Sequence, residues 1–384
     1  MDPRRRLMLA RRLGSCIAGL CAVLATFPGT AAAHGGTDDA TNYSSRVNSP
    51  GDPGLSWTVE GGDSLLELTN ATGRAVVVSG YQGEPYLEFR ADDTVWVNTR
   101  SPAHHLNTTR YATTPLPPEA DAAAEPTWEL VASDATHAWH DHRIHWMSPL
   151  VPQGVDADPT VDQRILSWSI PVSVAGSATE ATGELWWIAP EPWWPPVVVP
   201  GVVLLLAALA VVLRSGPVDE GSRWPAASRP VVVLLGVVGA ANVVRVVDDI
   251  VASRASTGEQ VAIVIGTTAS LAAIAALLRP AWRGTGGGHL ALVGAGLATM
   301  LIFGGEATDM LTASQITTEL PVWIRRWTVG LSYAVIVPVT VVAIAAGRHF
   351  ARHERIRRLG VEAGPPSHES HAHHPADVPM EMPD

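Results

Sequence analysis

Five apolar runs in the second half of the chain set the strongest limit on its fold. They cover residues 197–213, 230–247, 260–278, 289–305 and 328–346. Each approaches the ~20 residues that cross ~30 Å of hydrocarbon. No water reaches a bilayer interior, so the backbone must satisfy its own hydrogen bonds there, and such runs fold as helices. The expectation is an α-helical transmembrane bundle of five spans over 196–347, with the lipid bilayer as its first partner. Arg214, Arg223, Arg229, Arg279, Arg283 and the tail arginines Arg348, Arg352, Arg355, Arg357 and Arg358 fall on one side of the runs. Only Arg254, Arg325 and Arg326 fall on the other. Arginine-rich loops stay in the cytoplasm.

The N-terminus agrees with this orientation on separate residues. Arg4, Arg5, Arg6, Arg11 and Arg12 precede an apolar stretch over 13–27, and Ala31-Ala32-Ala33 follows as a small-residue cleavage site. This is the layout of a secretory signal peptide over 1–33. The chain is therefore read as a multi-pass plasma-membrane protein. Its N-terminal domain is extracytoplasmic and its tail, 348–384, is cytoplasmic. That tail is Pro- and His-rich and reads as disordered. Cys16 and Cys21 are the only cysteines. Once the leader is removed, disulfides, thiolate metal sites and a cysteine nucleophile are all excluded. A net charge of −11 argues against a nucleic-acid partner.

Residues 34–54 are polar and turn-rich and read as a flexible lead. From 55 to 195 short strand patterns alternate with turns, at 55–60, 65–69, 75–79, 85–89, 95–98, 127–131, 137–142, 165–174 and 183–188. Apolar Trp57, Val59, Leu66 and Leu68 alternate with polar neighbours, the two-faced pattern of an antiparallel, Ig-like sandwich. Trp186, Trp187, Trp193 and Trp194 form a collar where this domain meets the bilayer.

The densest chemistry lies in Thr136-His137-Ala138-Trp139-His140-Asp141-His142-Arg143-Ile144-His145-Trp146-Met147. On a strand His140 and His142 share a face, and His145 and Met147 have the opposite parity. A bulge or bend near Arg143-Ile144 is needed to bring all four together. Imidazoles with a thioether suit copper, and imidazoles alone also suit zinc. Cleavage after Ala33 leaves His34 as a new terminus, whose amine and imidazole form a further copper-binding pair. The candidate metal ligands are therefore His34, His140, His142, His145 and Met147. The competing reading is an amphipathic layer of Trp139, His140 and Trp146 with an Asp141–Arg143 pair on the outer face. Asn242, Arg245, Asp248 and Asp249 near the second run, and Glu306 and Asp309 after the fourth, are ionisable groups beside spans. An Arg245 pair with Glu306 or Asp309 is one way to neutralise them.

Two resemblances follow from these residues. Thr41-Asn42-Tyr43, Gly80-Tyr81-Gln82-Gly83-Glu84-Pro85-Tyr86-Leu87, Asn98-Thr99-Arg100-Ser101-Pro102-Ala103 and Trp139 through Met147 resemble a group of actinobacterial exported multi-pass membrane proteins with no assigned activity. A leader ending before His34, a small sandwich and then spans also resembles the copper-resistance CopC–CopD arrangement. Leu166-Ser167-Trp168-Ser169-Ile170-Pro171 and Gly183-Glu184-Leu185 carry that likeness. The second resemblance implies a CopC-like fold. It does not carry over that family's copper site, because Ala175-Gly176-Ser177 stands where the family places Asp-Gly-His. No nucleophile triad, phosphate loop or carboxylate pair stands out. The expected function is non-enzymatic, extracytoplasmic copper or zinc binding in envelope metal handling. The alternative is an interaction or structural module without metal that binds another envelope protein, with Gly80 to Leu87 as an exposed recognition turn.

Overall fold

The structure, a computed structural model, describes residues 40–214, 224–252, 257–284 and 288–348. His34, the leader and the tail histidines lie outside the described residues, as does the Glu306 side chain. Ten strands form the N-terminal region: β1 (Tyr43–Ser49), β2 (Leu55–Glu60), β3 (Leu65–Asn70), β4 (Val76–Ser79), β5 (Pro85–Phe89), β6 (Val95–Asn98), β7 (Trp128–Ala132), β8 (Thr136–Trp139), β9 (Gln163–Val174) and β10 (Ser177–Trp187). Seven form a sheet in the order β1-β10-β9-β4-β5-β6-β7, and β2-β3-β8 form a second. All pairs are antiparallel.

Alternation drives the layering. Leu66 and Leu68 of β3, Val76 and Val78 of β4 and Leu87 and Phe89 of β5 are fully buried. They meet Trp139, Ile170 and Val172 in one core. Each such side chain contributes about 1.5–3 kcal/mol by leaving water. The lead segment 34–54 differs from its reading, because residues 43–49 are the edge strand β1. Its two buried residues, Ser44 and Ser45, are small and polar and lie on opposite faces of the strand. Ser45 Oγ accepts the Trp168 Nε1–H at 2.8 Å, so the small hydroxyl is a docking point for a core tryptophan.

Strand β10 runs towards the helices α1 (Trp194–Arg214), α2 (Trp224–Ala252), α3 (Thr257–Arg283), α4 (Gly288–Thr299) and α5 (Val322–Ala334). Helix α5 continues to Arg348 past an irregularity at Val335. Pro338 accounts for it: its ring crowds the carbonyl four residues back, that of Ala334, and it has no N–H to give. Four helices are long and apolar enough to cross a membrane: those beginning at Trp194, Ser228, Thr257 and Val322. The run at 289–305 forms a shorter apolar helix, Gly288–Gly304. Its last turn widens to a π-helix at Met300–Gly304 and then tightens to a 3-10 helix over Gly305–Leu311. At the collar, Trp187 is buried and its N–H donates to the Pro159 carbonyl at 3.0 Å, while Trp193 and Trp194 are exposed.

The strand region is bound to the bundle by backbone. Thr41 and Gln315 exchange two hydrogen bonds of 2.9 Å, and Glu191 N–H reaches the Thr312 carbonyl at 2.8 Å. Ser314 N–H donates to Asn42 Oδ1 at 2.8 Å. Polar groups beside these helices are paired, and the Glu306 side chain, one expected partner of Arg245, is not among those described. Arg245 bonds Asp249 at 3.2 Å, one helical turn away. Arg325, read from sequence as an outer-loop arginine, is buried and bridges Asp248 and Asp249.

Candidate metal centre

Strand β8 ends at Trp139, one residue before His140. His140 and Asp141 are irregular, and the chain turns over 142–145, with Ile144 N–H donating to the Asp141 carbonyl at 3.2 Å. The strand expected over 137–142 is thus shorter. The bend near Arg143-Ile144 that convergence requires is this turn. Ile144, fully buried, anchors it in the core.

The turn is held from inside by a buried ion pair. Asp141 has no exposed surface and accepts from Arg143 at 2.7 Å and from Trp139 Nε1 at 2.9 Å. Arg143 also donates to the Ser79 carbonyl at 3.0 Å and lies over the Tyr81 ring. Burial alone drives the Asp141 carboxyl up, but the Arg143 charge and hydrogen bonds hold it below the ordinary aspartate value. The pair expected on an outer face is therefore an internal fastener. Tyr81 stacks flat on His142, centroids 5.7 Å apart, and its hydroxyl accepts the His142 backbone N–H at 2.9 Å.

His140, His142 and His145 each present a ring nitrogen, and these nitrogens lie within 4.8 Å of one another. Ring centroids are 4.5 Å apart for His140–His145 and 5.4 Å for the other two pairs. No other group of three potential ligands of this kind occurs among the described residues. His140 Nδ1 sits 2.7 Å from the Ser64 carbonyl, and His142 Nε2 sits 2.8 Å from the Thr109 carbonyl. A carbonyl only accepts, so each of those nitrogens carries the proton. The lone pairs are therefore on His140 Nε2 and His142 Nδ1. This is how metal-binding histidines are oriented, with the far N–H tied to a backbone oxygen.

His145 is 1 % exposed, and neither of its ring nitrogens has a hydrogen-bond partner in the protein. His140 Nε2 is likewise buried and unpartnered. Buried polar atoms are nearly always bonded, so three orphaned imidazole nitrogens in one cluster are unusual. Burial, then the His140 and Arg110 charges, push His145 down to about 2. Burial also draws His140 and His142 below the usual histidine value. All three rings are neutral near pH 7, the form that ligates.

A second ion pair braces the two tethers. Asp63 precedes Ser64, Arg110 follows Thr109, and the two side chains meet at 2.8 Å. Met147, two residues beyond His145, is 39 % exposed. His104 and His105 belong to a short helix, Pro102–Leu106, and His105 Nε2 is 2.9 Å from the Thr99 carbonyl. Sequence reasoning missed Ser64, Thr109, Asp63 and Arg110. Two act through backbone carbonyls, which no residue type advertises. In the Gly80 to Leu87 phrase, expected as an exposed turn in the metal-free alternative, Gln82 and Gly83 at the turn are exposed while Glu84, Tyr86 and Leu87 are buried. The chain matches no known protein-family profile, no curated protein and no solved structure.

Proposed function

We propose that this protein binds a transition-metal ion outside the cell, copper first and zinc second, as a membrane-anchored component of envelope metal handling. One observation carries the reading: three neutral imidazoles, two of them with tautomers set by carbonyl tethers, each present a ring nitrogen within 4.8 Å of the others. An all-nitrogen donor set fits copper and zinc and is poor for calcium or magnesium. Copper(II) stands highest in the general affinity order for nitrogen sites. On this reading His140, His142 and His145 form the core. Met147 and the His34 terminus are additional donors. The strand region is an Ig-like, CopC-like carrier whose ion sits at a different place from that family's. The run at 289–305 is a fifth crossing, which puts the tail in the cytoplasm opposite the sandwich.

The test uses the purified full-length protein in detergent. Titration calorimetry and elemental analysis should give one tight equivalent of copper or zinc, with Kd below micromolar. Nitrogen hyperfine structure should appear in the copper(II) EPR spectrum. His140→Gln, His142→Gln and His145→Gln together should remove that equivalent while leaving any weak binding by His34 or the tail histidines. Uptake no tighter than micromolar, or tight uptake that survives the triple change, rejects the assignment.

A further inference from the structure

We infer that this protein is also a transmembrane metal-responsive unit, in which filling of the three-histidine site is transmitted through the Gly61–Ser64 turn to the Asp248–Arg325 latch of the helix bundle. The inference rests on the metal-binding reading and adds a second function to it.

The connection is continuous in named contacts. It begins at His140, whose Nδ1–H is tied to the Ser64 carbonyl at 2.7 Å. Ser64 closes a tight turn, with its N–H on the Glu60 carbonyl at 3.1 Å and its Oγ on the Gly61 carbonyl at 3.1 Å. The next residues have no room to move independently. A Cβ on Gly62 would stand 2.8 Å from Gln315 Cβ, and one on Gly61 would stand 2.9 Å from Thr317 Oγ1. Both glycines hold positive φ, +74° and +59°, which only glycine adopts without strain. The turn therefore lies directly on the loop between the short fourth helix and α5.

That loop ends in a carboxylate. Asp248 of α2 accepts from Thr318 Oγ1 at 2.7 Å, from Glu319 N–H at 3.0 Å and from Leu320 N–H at 3.1 Å. The same carboxylate, with Asp249, binds the buried Arg325 of α5. Asn242, a turn and a half back on α2, donates to Ser332 of α5 at 2.9 Å. Asp248 thus fastens the loop under the histidine turn to two helices at once.

An ion supplies the push. Four-coordinate metal–nitrogen bonds of ~2.0–2.1 Å bring donor nitrogens to ~3.3 Å from each other. The three nitrogens presently spread over as much as 4.8 Å. Closing on an ion draws in His140 and fixes it, and the Ser64 tether then fixes the turn and the loop packed on it. Binding that orders an element is favoured by anything that already orders it, and the coupling is reciprocal.

The test takes full-length protein in lipid nanodiscs with zinc(II), which is redox-silent, and with copper(II). Hydrogen exchange of the 314–320 amides should slow at least about threefold on metal binding, and His140→Gln should abolish the effect. By reciprocity Asp248→Asn should weaken metal binding at the histidines by about 5-fold or more. Thr318→Val, which removes the hydroxyl bonded to Asp248 and to the Leu320 backbone but removes no charge, should weaken it in the same direction if Asp248→Asn does not fold. Tight metal binding with unchanged or faster exchange at 314–320, or with affinity unaltered in the foldable variant, overturns the coupling and leaves the binding site standing. Absence of tight binding in the unaltered protein overturns both.

Discussion

Replacing His145 by leucine should make the metal-free protein more stable. The imidazole is 1 % exposed, and both ring nitrogens lack a partner in the protein. A neutral ring carries one N–H donor and one lone pair, and each buried unsatisfied group costs about 1–3 kcal/mol. Leucine removes both groups, and the imperfect shape match gives back up to about 1.5 kcal/mol. A net gain of about 1–3 kcal/mol is expected for the apo protein. With metal at about a thousand times Kd the ranking reverses, because the unaltered protein then gains about 4.1 kcal/mol that the variant cannot. The assay is urea unfolding of full-length protein in detergent, followed by tryptophan fluorescence with chelator and with zinc. A variant that loses 2 kcal/mol or more in chelator, or that keeps the full metal shift, would show that the ring serves packing and refute the argument.

Three further outcomes follow from the same geometry. Burial, helped by neighbouring positive groups, holds His145 at about 2 and lowers His140, and burial alone lowers His142. The unfolded chain takes up these protons near pH 6.5 and the folded chain refuses them. Stability should therefore be fully present above about pH 6.5 and fall as pH drops, by about 1.4 kcal/mol per unit per excluded proton. Urea midpoints that stay flat from pH 8 to 4 would contradict this. Arg143→Leu strands the fully buried Asp141 carboxylate and should cost about 3–5 kcal/mol, with copper and zinc affinity falling together. A loss under 1 kcal/mol, measured by the same unfolding assay, would count against the internal fastener. Met147→Leu at an exposed site should change stability by less than about 0.5 kcal/mol. A thioether donor predicts weaker copper(I) binding with zinc unchanged, which competition titration resolves.

Much of the scaffold was legible because period-2 alternation survives where aliphatic residues line a buried face. Strands β5 and β6 match their sequence bounds, 85–89 and 95–98. Strand β1 was hidden because its buried residues are serines, which read as loop until Trp168 is seen docked on Ser45. The helix at 289–305 was legible as apolar but not as a shortened element with a π turn. At the site, histidine density named the three imidazoles and the required bend. It could not say that the chain leaves the strand at Trp139, since Ile144 takes its place in the core only through tertiary packing. Arg325 was misplaced for a similar reason: counting charges beside a span says nothing of an aspartate on another helix turning to meet it.

The three rings sit within six residues of each other, yet the tautomers of His140 and His142 are written by oxygens at positions 64 and 109. An extended or nascent chain carries the same imidazoles without that instruction, each free to rotate and to swap its proton between nitrogens. Competence therefore arrives late, after β3 has paired with β8 and the loop around Thr109 has settled over His142. A peptide copied from 136–147 should lack the centre, and a newly made chain should stay unloaded until its sheets have closed.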